Sequence, residues 1–254
     1  MSSYGIWLSA AGMKVNDYRQ ELLANNIANG NTTGFKRDLE LVTQRQVESL
    51  ASPWGRRFAQ PVLDGMSGGA NVRPTFHDFA QGAIELTGRP LDVAIDGDGF
   101  FTVSDGTATR YTRDGEFTLS ADGALVLAAG GGRWKVLSDS GSSITINDSL
   151  GGATVSADGT VRQGNLAVAK LGIATTDDKS TLRKVGENLF ETSEEMTPIT
   201  SRVVPEARES SNFDVMGGLA TMIEAARAYQ LNATMIQLQD QITGAAVSRV
   251  ASAA

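Results

Sequence analysis

The chain has 254 residues, 41% of them hydrophobic and 6% aromatic, with 28 glycines and a formal net charge of −7. That size and apolar content allow one large or two modest domains, and the negative charge argues against nucleic acid, whose phosphates need a basic surface. With no cysteine in the chain, disulfides, thiol nucleophiles and sulfur-ligated zinc are excluded.

In chain order, the first predicted element is a helix with its following turn, over residues 1–48. Tyr4, Leu8, Ala11, Val15, Tyr18, Leu22, Asn25 and Asn29 recur at alternating spacings of four and three, a seam of heptad type. Residues 49–80 read as an extended connector, broken by Pro53, Gly55, Pro61, Gly65, Gly68, Gly69 and Pro74. Residues 81–205 read as a β-rich domain. Asp-Gly pairs at 96–97, 98–99, 105–106, 114–115, 122–123 and 158–159 separate short apolar runs, and such pairs mark tight turns between antiparallel strands. The expected strands are 91–95, 100–104, 109–112, 116–119, 124–127, 133–137, 144–146, 160–162, 166–174 and 188–191, and 197–211 is a connector back to a last helix. That helix, within 206–254, carries a second seam: Val215, Leu219, Met222, Ala226, Tyr229, Ala233, Ile236, Asp240, Thr243 and Val247. Ser211, Asn212 and Asp214 are its candidate caps. The fold class is therefore α+β, with discontinuous N- and C-terminal helices forming a coiled-coil-like layer and a central antiparallel β-rich domain. Periodicity alone leaves open whether the two helices pair within one chain or with neighbouring copies.

No constellation for catalysis emerges. His77, the single histidine, lies between Phe76 and Asp78 with no nucleophile motif, and a structural role is expected for it. Asp96 to Gly99 lacks the later ligands of a calcium loop. Gly130 to Gly132 is not followed by Lys-Ser/Thr and is no phosphate loop. Glu194 and Glu195 are adjacent acids of an exposed loop. No catalytic, cofactor-binding or metal-binding residue is predicted, and no cofactor. Residues 1–8 lack the basic and apolar regions of a secretory leader, and no stretch approaches the ~18 apolar residues of a membrane span. Taken alone, these signals read as cytoplasmic, with no membrane insertion.

Three stretches carry a resemblance. Ala-Asn-Asn-Ile-Ala-Asn-Gly-Asn-Thr-Thr-Gly-Phe-Lys-Arg over 24–37 reads physically as a helix end, with Asn29 or Gly30 as a left-handed C-cap. It resembles the signature of the axial proteins of the bacterial flagellum, the rod and hook family. Residues 87–101 and 110–119 resemble the start of the β-domain in the longer members. Ser211-Asn-Phe-Asp-Val215, with the Met-Ile and Arg-Ala-Tyr helix of 222–229, is similar to their C-terminal helix. The short rod proteins lack such a β-domain and the hook proteins carry a further one, so the likeness points to a long rod protein. Residues 78–90 and 169–174 are nearer the proximal long type than the distal. Phe213 stands where the family usually has valine, and Gly217-Gly218 weakens the first turns of the last helix by roughly 1 kcal/mol per glycine.

The resemblance implies a self-assembling structural subunit of the flagellar rod. Its partners would be copies of itself, other rod proteins above and below, and the flagellar type III export apparatus, which replaces a leader peptide. The place of work would be the periplasmic stretch of the basal body. The residues implied in self-assembly are Leu8, Ala11, Val15, Tyr18, Leu22, Asn25, Asn26, Asn29, Gly34 and Phe35 near the N-terminus. Near the C-terminus they are Asn212, Val215, Leu219, Met222, Ala226, Tyr229, Ala233 and Ile236. A reading of another class is a non-catalytic β-domain binding module dimerised by its helices.

Overall fold

The computed structural model describes residues 2–45, 69–147 and 151–253. Helix α1 spans Ser2–Ala28 and helix α2 spans Val215–Ala253. The strands between them are β1 (Asp38–Gln44), β2 (Ala70–His77), β3 (Ile84–Leu86), β4 (Val93–Asp96), β5 (Phe100–Ser104), β6 (Thr109–Thr112), β7 (Phe117–Leu119), β8 (Leu125–Leu127) and β9 (Lys135–Val136). They continue as β10 (Ala153–Val155), β11 (Thr160–Gln163), β12 (Leu166–Lys170), β13 (Ile173–Thr175), β14 (Arg183–Gly186), β15 (Leu189–Glu191), β16 (Thr197–Pro198), β17 (Arg202–Pro205) and β18 (Ala207–Glu209). The architecture is α+β, with terminal helices and a central antiparallel β-rich region. The chain divides into two compact units: Met1–Ala28, Asp38–Phe76 and Asp214–Ala254 form one, and Asn29–Arg37 with His77–Phe213 form the other.

In the first unit α1 and α2 run antiparallel, with Gly5 facing Gln239 and Gly12 facing Asn232. Both helices are poor in charge, and α2 starts sharply because the Asp214 carboxylate accepts from the Met216 amide at 3.1 Å. The seam of α2 agrees with the expected one except at three positions. Val215, Gly218, Met222, Ala225, Ala226, Tyr229, Asn232, Ala233, Ile236, Gln239 and Thr243 are turned inward to varying degrees, whereas Leu219, Asp240 and Val247 are exposed. Opposite the glycines of α1 lie amide side chains, Gln239 at Gly5 and Asn232 at Gly12.

The other side of α1 carries a two-stranded ribbon, β1 with β2. The Tyr18 hydroxyl bonds the Thr75 hydroxyl at 2.9 Å, Arg19 pairs with Glu40, and the buried Asn26 amide makes a reciprocal pair of bonds with the Asp38 backbone at 2.8 and 2.9 Å. Neither strand was expected from the sequence. β2 falls in the span read as a connector, of which residues 49–68 lie outside the described residues.

The second unit is built on a sheet with the order β14-β15-β6-β5-β9-β8-β7, to which β13 and β16 add on the free part of one edge of β5. Side chains alternate faces along a strand, so β5 sends Phe101 and Val103 into one core with Val93, Ile95, Phe117 and Leu125. Phe100 enters a second, with Leu182, Phe190 and Met196. Five of the six Asp-Gly pairs place glycine at positive φ, as expected of turns, but Gly115 does not. It is a glycine because a Cβ there would lie 1.7 Å from the Val93 carbonyl. The expected strand 166–174 divides into β12 and β13, where Gly172 presses on the carbonyls of Leu137 and Ser138. Residues 144–146 contribute only a bridge between Ala124 and Thr145, with Ile144 and Ile146 buried. His77 is not in a loop: it ends β2 and packs edge-on to Phe79 and Phe190, with ring centroids 6.2 and 6.1 Å away.

The notch contact gives a test. A Cβ on Gly12 lies 3.1 Å from the Asn232 amide, so Gly12→Leu overpacks the helix pair, which typically costs about 1–3 kcal/mol. The expected result is a lower thermal midpoint of the helical signal in circular dichroism, restored in part when Asn232→Ala is added to the same chain.

Candidate functional site

The segment 29–37 is where the sequence signal is strongest, and the structure places it inside the second unit. Helix α1 ends at Ala28. The Asn29 carbonyl then accepts from the Thr32 amide at 3.1 Å to turn the chain. Neither Asn29 nor Gly30 is left-handed; the residue with positive φ is Gly34, at 66°. Gly34 is pressed so closely on the backbone of Arg113 and Asp114 that a Cβ would come within 2.4 Å. Its amide donates to the Glu209 carbonyl at 2.7 Å.

Phe35 and Lys36 follow into the interior. Phe35 is buried, and the Lys184 ammonium lies 4.0 Å from the centre of its ring. Lys184 also donates to the Lys36 carbonyl at 2.6 Å. The Lys36 side chain has no exposed surface. Its ammonium donates to the Glu209 carboxylate at 2.5 Å and to the Ala80 carbonyl at 2.7 Å. The other Glu209 oxygen takes Arg113 at 3.2 Å, and the first also accepts from the Gly82 amide at 2.9 Å. Arg113 donates further to the Gly97 carbonyl at 2.8 Å and lies over the Phe100 ring. Burial pushes the Lys36 ammonium down from its ordinary value, against the opposing pull of Glu209. An ion pair so deep is held by mutual satisfaction, because each charge alone would be several kcal/mol too costly to bury.

Two further groups hold the segment. Thr33 donates to the Glu116 carboxylate at 2.9 Å, and its carbonyl accepts from Asn188 at 3.0 Å. The Asn212 side chain joins three passages of the chain: it accepts from the Arg37 amide at 2.8 Å and donates to the Asp78 and Ala80 carbonyls at 2.8 and 3.1 Å. Beside Glu116 lie two more buried carboxylates, Asp92 and Asp114. Arg89 meets Asp92 at 2.8 Å and Glu116 at 3.3 Å. Burial pushes the Asp114 carboxyl up to about 7; the Glu116 and Asp92 carboxylates add to this, and the Glu116 amide and Arg89 oppose it.

Of the residues expected in self-assembly, Asn26, Gly34 and Phe35 are buried within the chain and Asn212 is a tether. Ala11 and Tyr18 face the β1–β2 side, by Gly69 and Thr75. Val15, Leu22, Val215, Met222, Ala226, Tyr229, Ala233 and Ile236 are half-buried, and Asn29 is half-buried at the turn. Leu8, Asn25 and Leu219 are exposed. Sequence reasoning missed Lys36, Arg113, Asn188 and Glu209. The available signal was a lysine between Phe35 and Arg37 in a motif otherwise made of amides, hydroxyls and glycines.

A second set of residues went unnoticed on α2. Met216, Ile223, Leu231, Met235, Leu238 and Ile242 are all exposed. At about 100° per residue they lie on the side of the helix opposite the seam with α1. Among the described residues no group of three or more His, Asp or Glu is placed to hold a metal ion, and no helix is long and apolar enough to cross a membrane. The geometry holds chain segments together and offers apolar surface.

Three family models match stretches of the chain. The family model for "Flagella basal body rod protein" matches residues 9–36, that for the "Flagellar hook protein FlgE/F/G D1 domain" matches 94–163, and that for the "Flagellar basal body rod FlgEFG protein C-terminal" matches 205–249. The flagellar basal-body rod protein FlgF of Caulobacter vibrioides is 37% identical over 233 residues, 91% of each chain. The FlgG proteins of Borreliella burgdorferi and Bacillus subtilis are each 30% identical, over 95% and 93% of this chain and 96% and 95% of theirs.

Two predictions follow from the buried charges. Glu209→Gln leaves Lys36 and Arg113 without their anion and is expected to cost about 3–5 kcal/mol in urea unfolding of the sheet signal; Lys36→Met costs less, because Arg113 still pairs with Glu209. The raised Asp114 works with the opposite sign to a salt-bridged carboxylate. Its stabilising contribution is complete below the unfolded value of about 3.9 and is lost as pH rises through about 7. The stability difference between the native chain and Asp114→Asn is therefore expected to shift against the native chain between pH 4 and pH 7.5, read from urea midpoints at each pH.

Proposed function

The chain belongs to the flagellar basal-body rod protein family, and from that premise we propose how it works as a rod subunit. It is a structural component of the bacterial flagellar basal body, and its likeness is stronger to the FlgF relative than to the FlgG relatives. The subunit joins copies of itself and other rod proteins through its terminal helices, which form a coiled-coil-like inner layer of the shaft. Head-to-tail contacts that do not close on themselves build a helical rod rather than a ring, and the rod transmits torque. The subunit acts without catalysis, reaches the rod through the flagellar type III export apparatus, and works in the periplasmic stretch of the basal body.

The observation that carries this reading is the exposed apolar side of α2. Met216 is 76% exposed, Leu231 68% and Ile242 69%, on a 39-residue helix with four charged residues, Glu224, Arg227, Asp240 and Arg249. Large solvent-facing apolar patches mark interaction surfaces in soluble proteins. A helix with an apolar stripe on both sides is a helix between partners.

Changing Ile223 or Ile242 to Glu leaves the fold intact, because both side chains already face solvent. The expected outcome is an unfolding midpoint within ~0.5 kcal/mol of the native chain and loss of swimming when the variant replaces the native gene. Full motility with both changes present would end the assembly reading.

A further inference from the structure

We propose that the apolar stripe on the C-terminal half of α2, Leu231 to Ile242, seats on the outward face of the β1–β2 ribbon of a second copy of this chain. The inference rests on the self-assembly reading above and names the two surfaces that meet.

The ribbon has an inverted pattern. Glu40 of β1 turns inward to Arg19 and Thr75 of β2 turns inward to Tyr18. Alternation along a strand then sends Leu39, Leu41 and Phe76 outward. Leu41 is 49% and Phe76 50% exposed, and Leu39 is exposed beside them. A ribbon that hides its glutamate and shows its leucines is built to be covered on that face.

The matching surface is on the same unit of the chain. Glu224 and Arg227 interrupt the outward side of α2 and split it in two. Beyond them Leu231, Met235, Leu238 and Ile242 recur at spacings of four, three and four, all exposed. This ridge is about 17 Å long at 1.5 Å per residue. A seven-residue strand such as β1 spans about 20 Å, so the ridge and the ribbon match in length. The charges agree as well. Asp240 lies off the ridge by helical angle, and the described ribbon residues that alternation sends outward, Leu39, Leu41, Thr43, Val72 and Phe76, carry none.

Symmetry selects the pairing. Ridge on ridge, or ribbon on ribbon, is a self-complementary contact that closes as a two-fold dimer. Ridge on ribbon is heterologous. It leaves one free ridge and one free ribbon at the ends of every assembly, as a rod of repeated subunits requires.

The chain contains no cysteine, so disulfide trapping has no native background. The test mixes full-length Leu41→Cys with full-length Leu238→Cys under mild oxidation and follows assembly of the same samples by sedimentation. The expected result is a cross-linked pair containing one chain of each variant, undiminished between low and high salt. Each variant oxidised alone should give at least tenfold less cross-link. Sedimenting assembly without the mixed cross-link, or with cross-links only between like variants, overturns the ridge-on-ribbon contact and leaves self-assembly standing. No assembly at any concentration overturns both.

Discussion

Glu209 carries its charge where water does not reach, and the second unit is arranged around meeting that cost. An ionised carboxylate in a protein interior is tolerable only when cations and amide donors surround it. Here the donors come from Lys36, Gly82 and Arg113, which are far apart in sequence. Only one threading of the chain satisfies all of them together. The segment after α1 must return to the strand before α2, and the turn after β6 must meet both. Well-packed apolar residues could match such a triad in net stability. What charges add is discrimination: a mispaired register leaves a bare ion inside, so wrong threadings are penalised far more heavily than a mismatched leucine would be. The Lys36 side chain and the Gly34 backbone contact serve the same end, one through charge and the other through the absence of a Cβ.

The helical unit solves a different problem with different chemistry. A helix whose seam interleaves glycine, alanine and amides with Val215, Met222, Tyr229 and Ile236 buries less apolar area than an unbroken apolar seam, and most helical stability comes from such burial. The α1–α2 pair compensates with shape. Gly5 and Gly12 lie seven residues apart, and Gln239 and Asn232 fall opposite them with the same spacing. A slip of one residue would drive amide side chains against larger neighbours. Meanwhile Met216, Ile223, Leu231, Met235, Leu238 and Ile242 of α2 are left on the far side. The helix thus carries apolar residues on two sides, one packed within the chain and one facing solvent, unlike a surface helix in a monomeric protein.

This two-sided arrangement explains what the sequence made legible and what it concealed. The two long helices and the antiparallel strands between Asp-Gly turns were readable because local chemistry alone specifies them. The seam of α2 was read one position off at Leu219 and Asp240 because periodicity detects apolar residues without telling which partner they meet. Strand β1 was missed for the same reason, its leucines pointing outward and its Glu40 inward. β18 was missed because Glu209 and Arg208 look like surface residues. Lys36 and Glu209 could not be paired from spacing: they lie 173 residues apart, and a buried lysine resembles an exposed one until its partner is known. The motif at 24–37 was recognised for its resemblance, but its physical reading as a helix cap was too local. Its last nine residues serve the sheet, and its polarity is that of a segment which must satisfy buried groups.

A subunit that forms equivalent contacts within itself and with its neighbours faces a hazard, since helices that pair by apolar seams can exchange partners. The division of chemistry in this chain reduces it. The notches at Gly5 and Gly12 are already filled, since the amides of Gln239 and Asn232 lie within contact distance of them. Pairing within the chain is thus set by steric fit and amide placement at the notches, while the apolar area on the other side of α2 stays exposed. The two sides differ in shape and exposure, so the pairing of α1 with α2 does not use up the apolar surface of the second helix.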